Sequence, residues 1–254
     1  MKKILALILA VLMVVSLAAC GTTTTTDADA TEKAQLVMGT NAAFPPYEFY
    51  DEDGQTIIGI DAEIAKAVAD KLDMELTIKD MEFDSLLTAV QSGAVDIVFA
   101  GLTVTDERKE SVDFSVTYAT GIQVIIVKDG SDIASVDDLA GKTIGVQAGT
   151  TGDIYCTDEF GQDNVKQFSN GALAVAALQN DQVDCVVIDN EPAKSFVAAN
   201  DGLKILETEY AVEDYAAAIS KDNADLTEKV NDAMEELKAD GTIDAILAKY
   251  IKAE

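Results

Sequence analysis

Val98-Phe99-Ala100-Gly101-Leu102-Thr103-Val104-Thr105-Asp106-Glu107-Arg108 is the stretch from which the rest of the chain can be read. It begins as the end of an apolar, β-branched strand, passes through a small-residue turn and two threonines, and stops at an arginine. Gly101 carries no Cβ and leaves backbone N–H groups open to close approach, and Thr103 offers a hydroxyl. Arg108 offers a planar, permanently charged fork that holds a carboxylate with two parallel hydrogen bonds. Together they read as a receptor for a small carboxylate at a strand end. The competing reading is a strand end whose arginine makes a surface ion pair with Asp106 or Glu107.

Upstream, Gln35–Thr40 is a first strand, followed by a proline-stiffened loop at Asn41-Ala42-Ala43-Phe44-Pro45-Pro46-Tyr47-Glu48-Phe49. Ile60, Ile64, Val68 and Leu72 recur every fourth residue, which predicts an amphipathic helix over 61–71 with Asp61 and Glu63 in its first turn. A second strand lies at 76–78. A helix marked by Phe83, Leu86, Leu87 and Val90 closes at Ser92-Gly93, and a third strand over 96–100 runs into the opening stretch. Strands alternating with helices at this spacing predict βαβ units and a largely parallel sheet. Ligands of such sheets sit beyond the carboxyl ends of the strands, where Asn41, Phe83 and the segment 101–108 converge.

Downstream the pattern starts again after a β-rich segment over 120–127. Ser135 and Asp138 fit a capping box. Strands are expected over 142–146, 165–168 and 183–188, with helices from about Asp153, over 172–178 and over 191–199. This is a second α/β lobe with its own sheet. Gly149-Thr150-Thr151 places N–H groups and hydroxyls at a helix N-terminus, which reads either as an anion site or as plain capping by a threonine. Asp189 ends an apolar strand, where it either receives an ammonium group or caps the helix that follows. Two apolar helical faces close the chain, one on Leu226, Val230, Ala233, Met234 and Leu237 with Asp225 and Glu228 expected to cap its start. The other carries Ile243, Ile246, Leu247, Tyr250 and Ile251, and both read as core packing.

The ends and the composition narrow the function. Lys2 and Lys3 precede an apolar run from Ile4 to Leu17, too short for a comfortable membrane span, and Leu17-Ala18-Ala19-Cys20 follows. This resembles a bacterial lipobox: residues 1–19 are a signal peptide, Cys20 is the lipidated N-terminus, and the Thr-rich 20–34 is a flexible tether. An ordinary signal peptide with an incidental cysteine is the alternative. The formal charge is −28, which argues against nucleic acid as a partner. Excess surface carboxylate serves solubility and does not name a ligand. Without histidine, the chain holds no histidine triad or histidine zinc site, and no P-loop, Gly-x-Gly-x-x-Gly or Gly-x-Ser-x-Gly motif occurs. No cofactor or metal is expected. Cys156 and Cys185 read either as a disulfide or as two buried thiols.

In this order the segments 39–49, 59–64, 100–108, Val112-Asp113-Phe114-Ser115, 145–151 and Lys238-Ala239-Asp240-Gly241-Thr242 resemble the bacterial extracellular solute-binding proteins of the polar amino acid type. The likeness runs from about Leu36 to Ile251 and is nearest to the glutamine- and histidine-binding proteins of ABC importers. It implies a type II periplasmic-binding-protein-like α/β fold of two lobes, each a mostly parallel sheet flanked by helices. Lobe one would be 35–119 and 216–254 and lobe two 120–215, with hinges near 118–122 and 211–215.

The resemblance also implies roles. Arg108 would pair with the ligand α-carboxylate, helped by Gly101, Thr103 and the N–H of Thr151, with Ala100 and Thr150 also among the ligand-binding residues. Asp189 would receive the α-ammonium, and Phe44 and Phe83 would sandwich the ligand side chain. Asn41 departs from the aspartate of those relatives, which removes a charge beside the ligand side chain. Glu48 could restore it, although a glutamate beside a polar rim is usually solvated. The expectation is a non-enzymatic, lipid-anchored receptor on the extracellular face of the cytoplasmic membrane, delivering a polar amino acid to an ABC permease. Rival readings are a sensory ligand-binding module and a dehydratase on the same fold with Glu48 as general acid.

Overall fold

The computed structural model describes residues 33–206 and 210–252. The expected signal peptide over 1–19, the lipidation position Cys20 and nearly all of the tether lie outside those residues. In the first half, β1 (Gln35–Thr40) leads into three short strands, β2 (Ala43–Phe44), β3 (Glu48–Tyr50) and β4 (Ile57–Ile58). Then come α1 (Ile60–Lys71), β5 (Glu75–Asp80), α2 (Leu86–Gln91), β6 (Ile97–Val98), α3 (Asp106–Ser111) and β7 (Val112–Phe114). The second half holds β8 (Ala119–Lys128), β9 (Ile144–Gln147), α4 (Thr151–Phe160), β10 (Val165–Phe168), α5 (Gly171–Gln179), β11 (Cys185–Asp189), α6 (Asn190–Ala199), β12 (Leu203–Ile205) and β13 (Ala211–Tyr215). The chain returns through β14 (Ala218–Ser220) to α7 (Ala224–Ala239) and α8 (Thr242–Tyr250).

Among the described residues, one sheet has the order β5-β1-β6-β14-β7, a second the order β10-β9-β11-β8-β12 with β13 also on β8, and a small third sheet joins β2, β3 and β4. The α/β class and two-sheet architecture agree with the expectation, with one refinement. Strands joined by crossover helices are parallel, as β1 is to β5 and β6, and as β9 is to β10 and β11. Strands that carry the chain between the halves have no such crossover helix and pair antiparallel: β8 against β11, β12 and β13, and β14 against β6 and β7. Both sheets are therefore mixed. The two connecting strands run side by side, from Gln123 opposite Ala211 to Ala119 opposite Tyr215.

The helical faces lie where the apolar spacing puts them. Ile60, Ile64 and Val68 of α1 are fully buried in one cluster with Val230, Met234 and Leu237 of α7 and Ile243 of α8. Three local readings change. The proline-containing loop is a small hairpin, with Phe44 opposite Glu48 and Ala43 opposite Phe49. The helix expected from Phe83 begins as a single 3-10 turn, Phe83–Ser85. The cap of α7 is Asn223, whose side chain accepts from the Leu226 N–H, rather than Asp225 or Glu228. Cys156 and Cys185 are both free and buried, in one core cluster of the second half.

Candidate functional site

The opening stretch folds into a receptor wall because three local requirements coincide. Gly101 adopts φ +53°, and a Cβ there would lie 2.7 Å from Cε1 of Phe44, so glycine is required on both backbone and steric grounds. Thr105 caps α3 by accepting from the Arg108 N–H at 3.1 Å. That short helix aims the arginine inward, where it is buried at 6% exposure. The surface-pair reading of Arg108 fails: Asp106 pairs instead with Lys109 at 3.0 Å. The guanidinium donates to the carbonyl oxygens of Thr103 at 2.8 Å and of Gly149 at 3.0 Å. It also lies 5.7 Å from the centre of the Phe83 ring.

The second half supplies the opposite wall. Thr150 caps α4, accepting from the Asp153 N–H, so the capping reading of this threonine is correct; it also lines the cavity. Thr151 is the first helical residue, whose N–H has no acceptor within the helix. Asp189 stands at the start of α6 but makes no side-chain cap bond; its carboxylate instead accepts from the Tyr215 hydroxyl. Gly121 makes that contact possible, because a Cβ there would fall 2.0 Å from the Tyr215 hydroxyl oxygen.

One cavity gathers these groups. Asn41, Phe44, Phe83, Ala100, Gly101, Thr103 and Arg108 line it from the first half, and Thr150, Thr151 and Asp189 from the second. Two further residues, Glu48 and Gln147, complete it. Two hydrogen bonds cross between the walls, Arg108 to the Gly149 carbonyl at 3.0 Å and the Gln147 amide to Asn41 Oδ1 at 2.9 Å. The conformation is therefore closed.

Burial sets the charge states. It pushes the Asp189 carboxyl up to about 7, opposed by the Tyr215 hydrogen bond and reinforced by the Glu213 charge. It pushes Asp61 up to about 6, against hydrogen bonds from the Gly101 N–H at 2.7 Å and the Tyr118 hydroxyl at 2.8 Å. Glu48 is driven well above the ordinary carboxylate range by burial, with the neighbouring Asp61 charge adding to the effect. Burial lowers the Arg108 value, partly offset by Glu213 and Asp189.

Several details depart from the sequence reading. The Gly101 N–H is not open to a ligand, because the buried Asp61 carboxylate takes it. The Thr103 and Thr151 hydroxyls both donate to Glu213 Oε2, at 3.2 and 2.8 Å. Gln123 Nε2 joins them at 3.0 Å, and the Tyr155 hydroxyl donates to Oε1 at 2.8 Å. Glu213 is thus a buried hub linking the two walls, and nothing local in Val212-Glu213-Asp214 separates it from a solvated carboxylate. Glu48 is not solvated: it is fully buried. The alternation along β3 that turns Phe49 outward and Glu48 inward was the available signal.

Comparison with known proteins agrees with this architecture. Residues 36–253 match the family model of the bacterial extracellular solute-binding proteins, family 3. The arginine-binding extracellular protein ArtP of Bacillus subtilis (strain 168) is 34% identical over 258 residues, covering 100% of both chains. A probable histidine-binding protein of Neisseria gonorrhoeae is 34% identical over 85% of this chain and 83% of its own. Among solved structures, an ancestral arginine-binding protein bound to glutamine superposes with a TM-score of 0.82 at 43% identity, over 87% of this chain and 99% of that one. An ancestral arginine-binding protein bound to arginine gives 0.81 at 43% identity, over 87% of this chain and 99% of that one.

Proposed function

The chain belongs to the bacterial extracellular solute-binding proteins, family 3, and on that footing we propose that it captures a free polar L-amino acid between two lobes and delivers it to the permease of an ABC importer. The observation that carries this reading is the pair Arg108 and Asp189. They are oppositely charged residue types on opposite walls of one cavity, both buried, and the hydrogen-bond partners of the Arg108 guanidinium among the described residues are carbonyl oxygens rather than a carboxylate. An α-carboxylate on Arg108 and an α-ammonium on Asp189 satisfy both walls at once. A ligand that bridges them binds the closed form better than the open one, which is the differential contact that closure needs.

In this reading lobe one is 35–119 with 216–254, lobe two is 120–215, and motion occurs where β8 and β13 run together. The Thr151 N–H adds a donor for the carboxylate, and Phe44 and Phe83 flank the side chain. Relatives are named for arginine and histidine, and structural neighbours hold arginine in one case and glutamine in another; these set the range of ligands to test. The segment Leu17-Ala18-Ala19-Cys20 supports a lipid anchor at Cys20 on the extracellular face of the membrane.

The test is a thermal-shift screen of refolded, ligand-stripped protein against the common L-amino acids. Binding to the folded state alone raises the melting temperature once ligand exceeds its Kd. A shift with one or a few L-amino acids that disappears in Arg108→Ala supports the receptor reading, and a flat screen on folded protein refutes it. Glu48, which lines the cavity and is driven well above the ordinary carboxylate range by burial, is also the candidate general acid for a dehydratase on this fold. Chemical conversion of the bound compound by pure protein would select that reading instead.

A further inference from the structure

Hydrogen bonds from opposite walls of the cavity meet on one carboxylate oxygen. Thr103, in the segment after β6, donates its hydroxyl to Glu213 Oε2 at 3.2 Å, and Thr151, at the start of α4, donates to the same atom at 2.8 Å. Gln123 Nε2 adds a third bond there at 3.0 Å, and the Tyr155 hydroxyl, one turn along α4 from Thr151, reaches Oε1 at 2.8 Å. Glu213 is 5% exposed and lies on β13, one of the two strands that carry the chain between the halves. That strand is tied to both sides. The Val104 N–H donates to the Asp214 carbonyl at 2.9 Å and Thr103 bridges Tyr215, while Glu213 itself pairs with Gly121 of β8. Whichever side β13 follows when the lobes part, one set of donors is drawn away from the carboxylate.

The residues gripped in this way also hold the donors assigned to the ligand α-carboxylate. Thr151 presents its N–H as the first residue of α4, and the Thr103 carbonyl accepts from Arg108 Nη1 at 2.8 Å. Both threonines line the cavity, and Glu213 stands behind them. Tyr215, two residues further along β13 and buried on the same face, holds Asp189 through its hydroxyl. One strand therefore sets the receptor for each end of the amino acid. We propose that Glu213 is a positioning residue for ligand capture: it ties the closed walls together through Thr103 and Thr151 and thereby slows release of the bound amino acid. This rests on the amino acid reading above and adds to it a residue behind the contact surface.

The residue type fits the task. Three donors converge on one oxygen and a fourth meets the other, which a carboxylate accommodates and an amide can match only by turning its own donor toward Tyr155. Hydrogen bonds to a charged acceptor are roughly twice as strong as neutral ones. In an open form water replaces the bonds that part, so closure gains their net worth rather than their full strength. A ligand enters the open form before that gain is made, and leaves only after it is lost. The effect of Glu213 therefore falls on release and not on encounter.

The probes are L-arginine and L-glutamine, the amino acids held by structural neighbours, and then the other common L-amino acids. Chase of the radiolabelled compound with excess unlabelled compound gives the release rate, isothermal titration gives Kd, and the two together give the association rate. Glu213→Ala should release about ten- to a hundredfold faster, the range for lost hydrogen bonds to a charged acceptor, with association within about threefold of wild type. Glu213→Gln keeps the volume and reach and should release at least about threefold faster, so the outcome does not hang on how the alanine variant folds. The decisive pair is Thr103→Val with Thr151→Val. Together they should speed release in the wild-type background, yet add less than about twofold in Glu213→Ala, because both hydroxyls act through that carboxylate. A lowered melting temperature with an unchanged release rate would show a purely structural role. Valines that keep their full effect without Glu213 would show that the hydroxyls meet the ligand directly, and a loss confined to association would place Glu213 in encounter. Each of those three results overturns the assignment while leaving the amino acid reading intact. Failure of every common L-amino acid to bind would overturn that reading, and this assignment with it.

Discussion

Arg108→Ala is the substitution on which the binding mechanism stands or falls. The side chain touches two carbonyl oxygens, one on each wall of the cavity, at 2.8 and 3.0 Å. In the mechanism above it also carries the only cationic contact to the ligand carboxylate. Alanine would leave that carboxylate desolvated and unpaired in a closed cleft, a loss of about 2–5 kcal/mol by analogy with other buried charge pairs. That corresponds to a rise in Kd of roughly thirtyfold to several thousandfold. The change should leave folding largely intact, since Arg108 belongs to none of the three apolar clusters. Arg108→Lys separates charge from geometry: one ammonium cannot serve both carbonyls and grip a carboxylate side-on, so it should recover only part of the loss. Isothermal titration reads the affinity, and small-angle scattering reads the loss of the Arg108–Gly149 contact as a more open unliganded form. Folded Arg108→Ala that binds within about threefold of wild type would refute the reasoning.

Other expectations follow from the same geometry. Burial holds Asp189 up to about 7, so a proton competes with the ligand ammonium; affinity should fall as pH drops below 7, by up to about tenfold per unit. This contribution should vanish in Asp189→Asn, and a wild-type affinity flat between pH 8 and pH 5.5 would exclude it. The same shift makes ionised Asp189 unfavourable in the unliganded fold. Its contribution to stability is full below the ordinary carboxylate range and is lost as pH rises through about 7, which pH-dependent denaturant melts of wild type against Asp189→Asn would show. Gly121→Ala places a methyl 2.0 Å from the Tyr215 hydroxyl, so it should displace Tyr215 from Asp189 and cost about 1–3 kcal/mol; an unchanged urea midpoint would show that the ring has room to move. Burial pushes the Cys185 thiol up to about 12 and Cys156 higher still, so neither should react with a thiol reagent at neutral pH until the protein is unfolded. Met234→Ala empties a fully buried position on α7 and should cost about 2–5 kcal/mol in chemical denaturation.

The extent to which the chain disclosed itself follows from the range over which each interaction acts. Helix faces such as Ile60, Ile64 and Val68, the two α/β halves, and the caps at Ser135 and Thr150 depend on near neighbours, so periodicity and residue type suffice to locate them. That Arg108, Asp189 and Phe83 line one cavity was legible for a related reason: they follow strand ends, which converge where α/β sheets bind ligands, whereas Phe44 was pointed to only by the family resemblance. Tertiary structure alone decided which polar groups are buried and what they face. Glu48 and Glu213 look like any of the many carboxylates in a chain of net charge −28. Yet one is a fully buried acid that lines the cavity beside Asp61, and the other accepts from four side chains drawn from both walls. Likewise the Gly101 N–H, open in the sequence reading, is claimed by Asp61 from forty residues away. A carboxylate's state is set by its desolvation and by donors brought from distant parts of the chain, and neither is a property of local sequence.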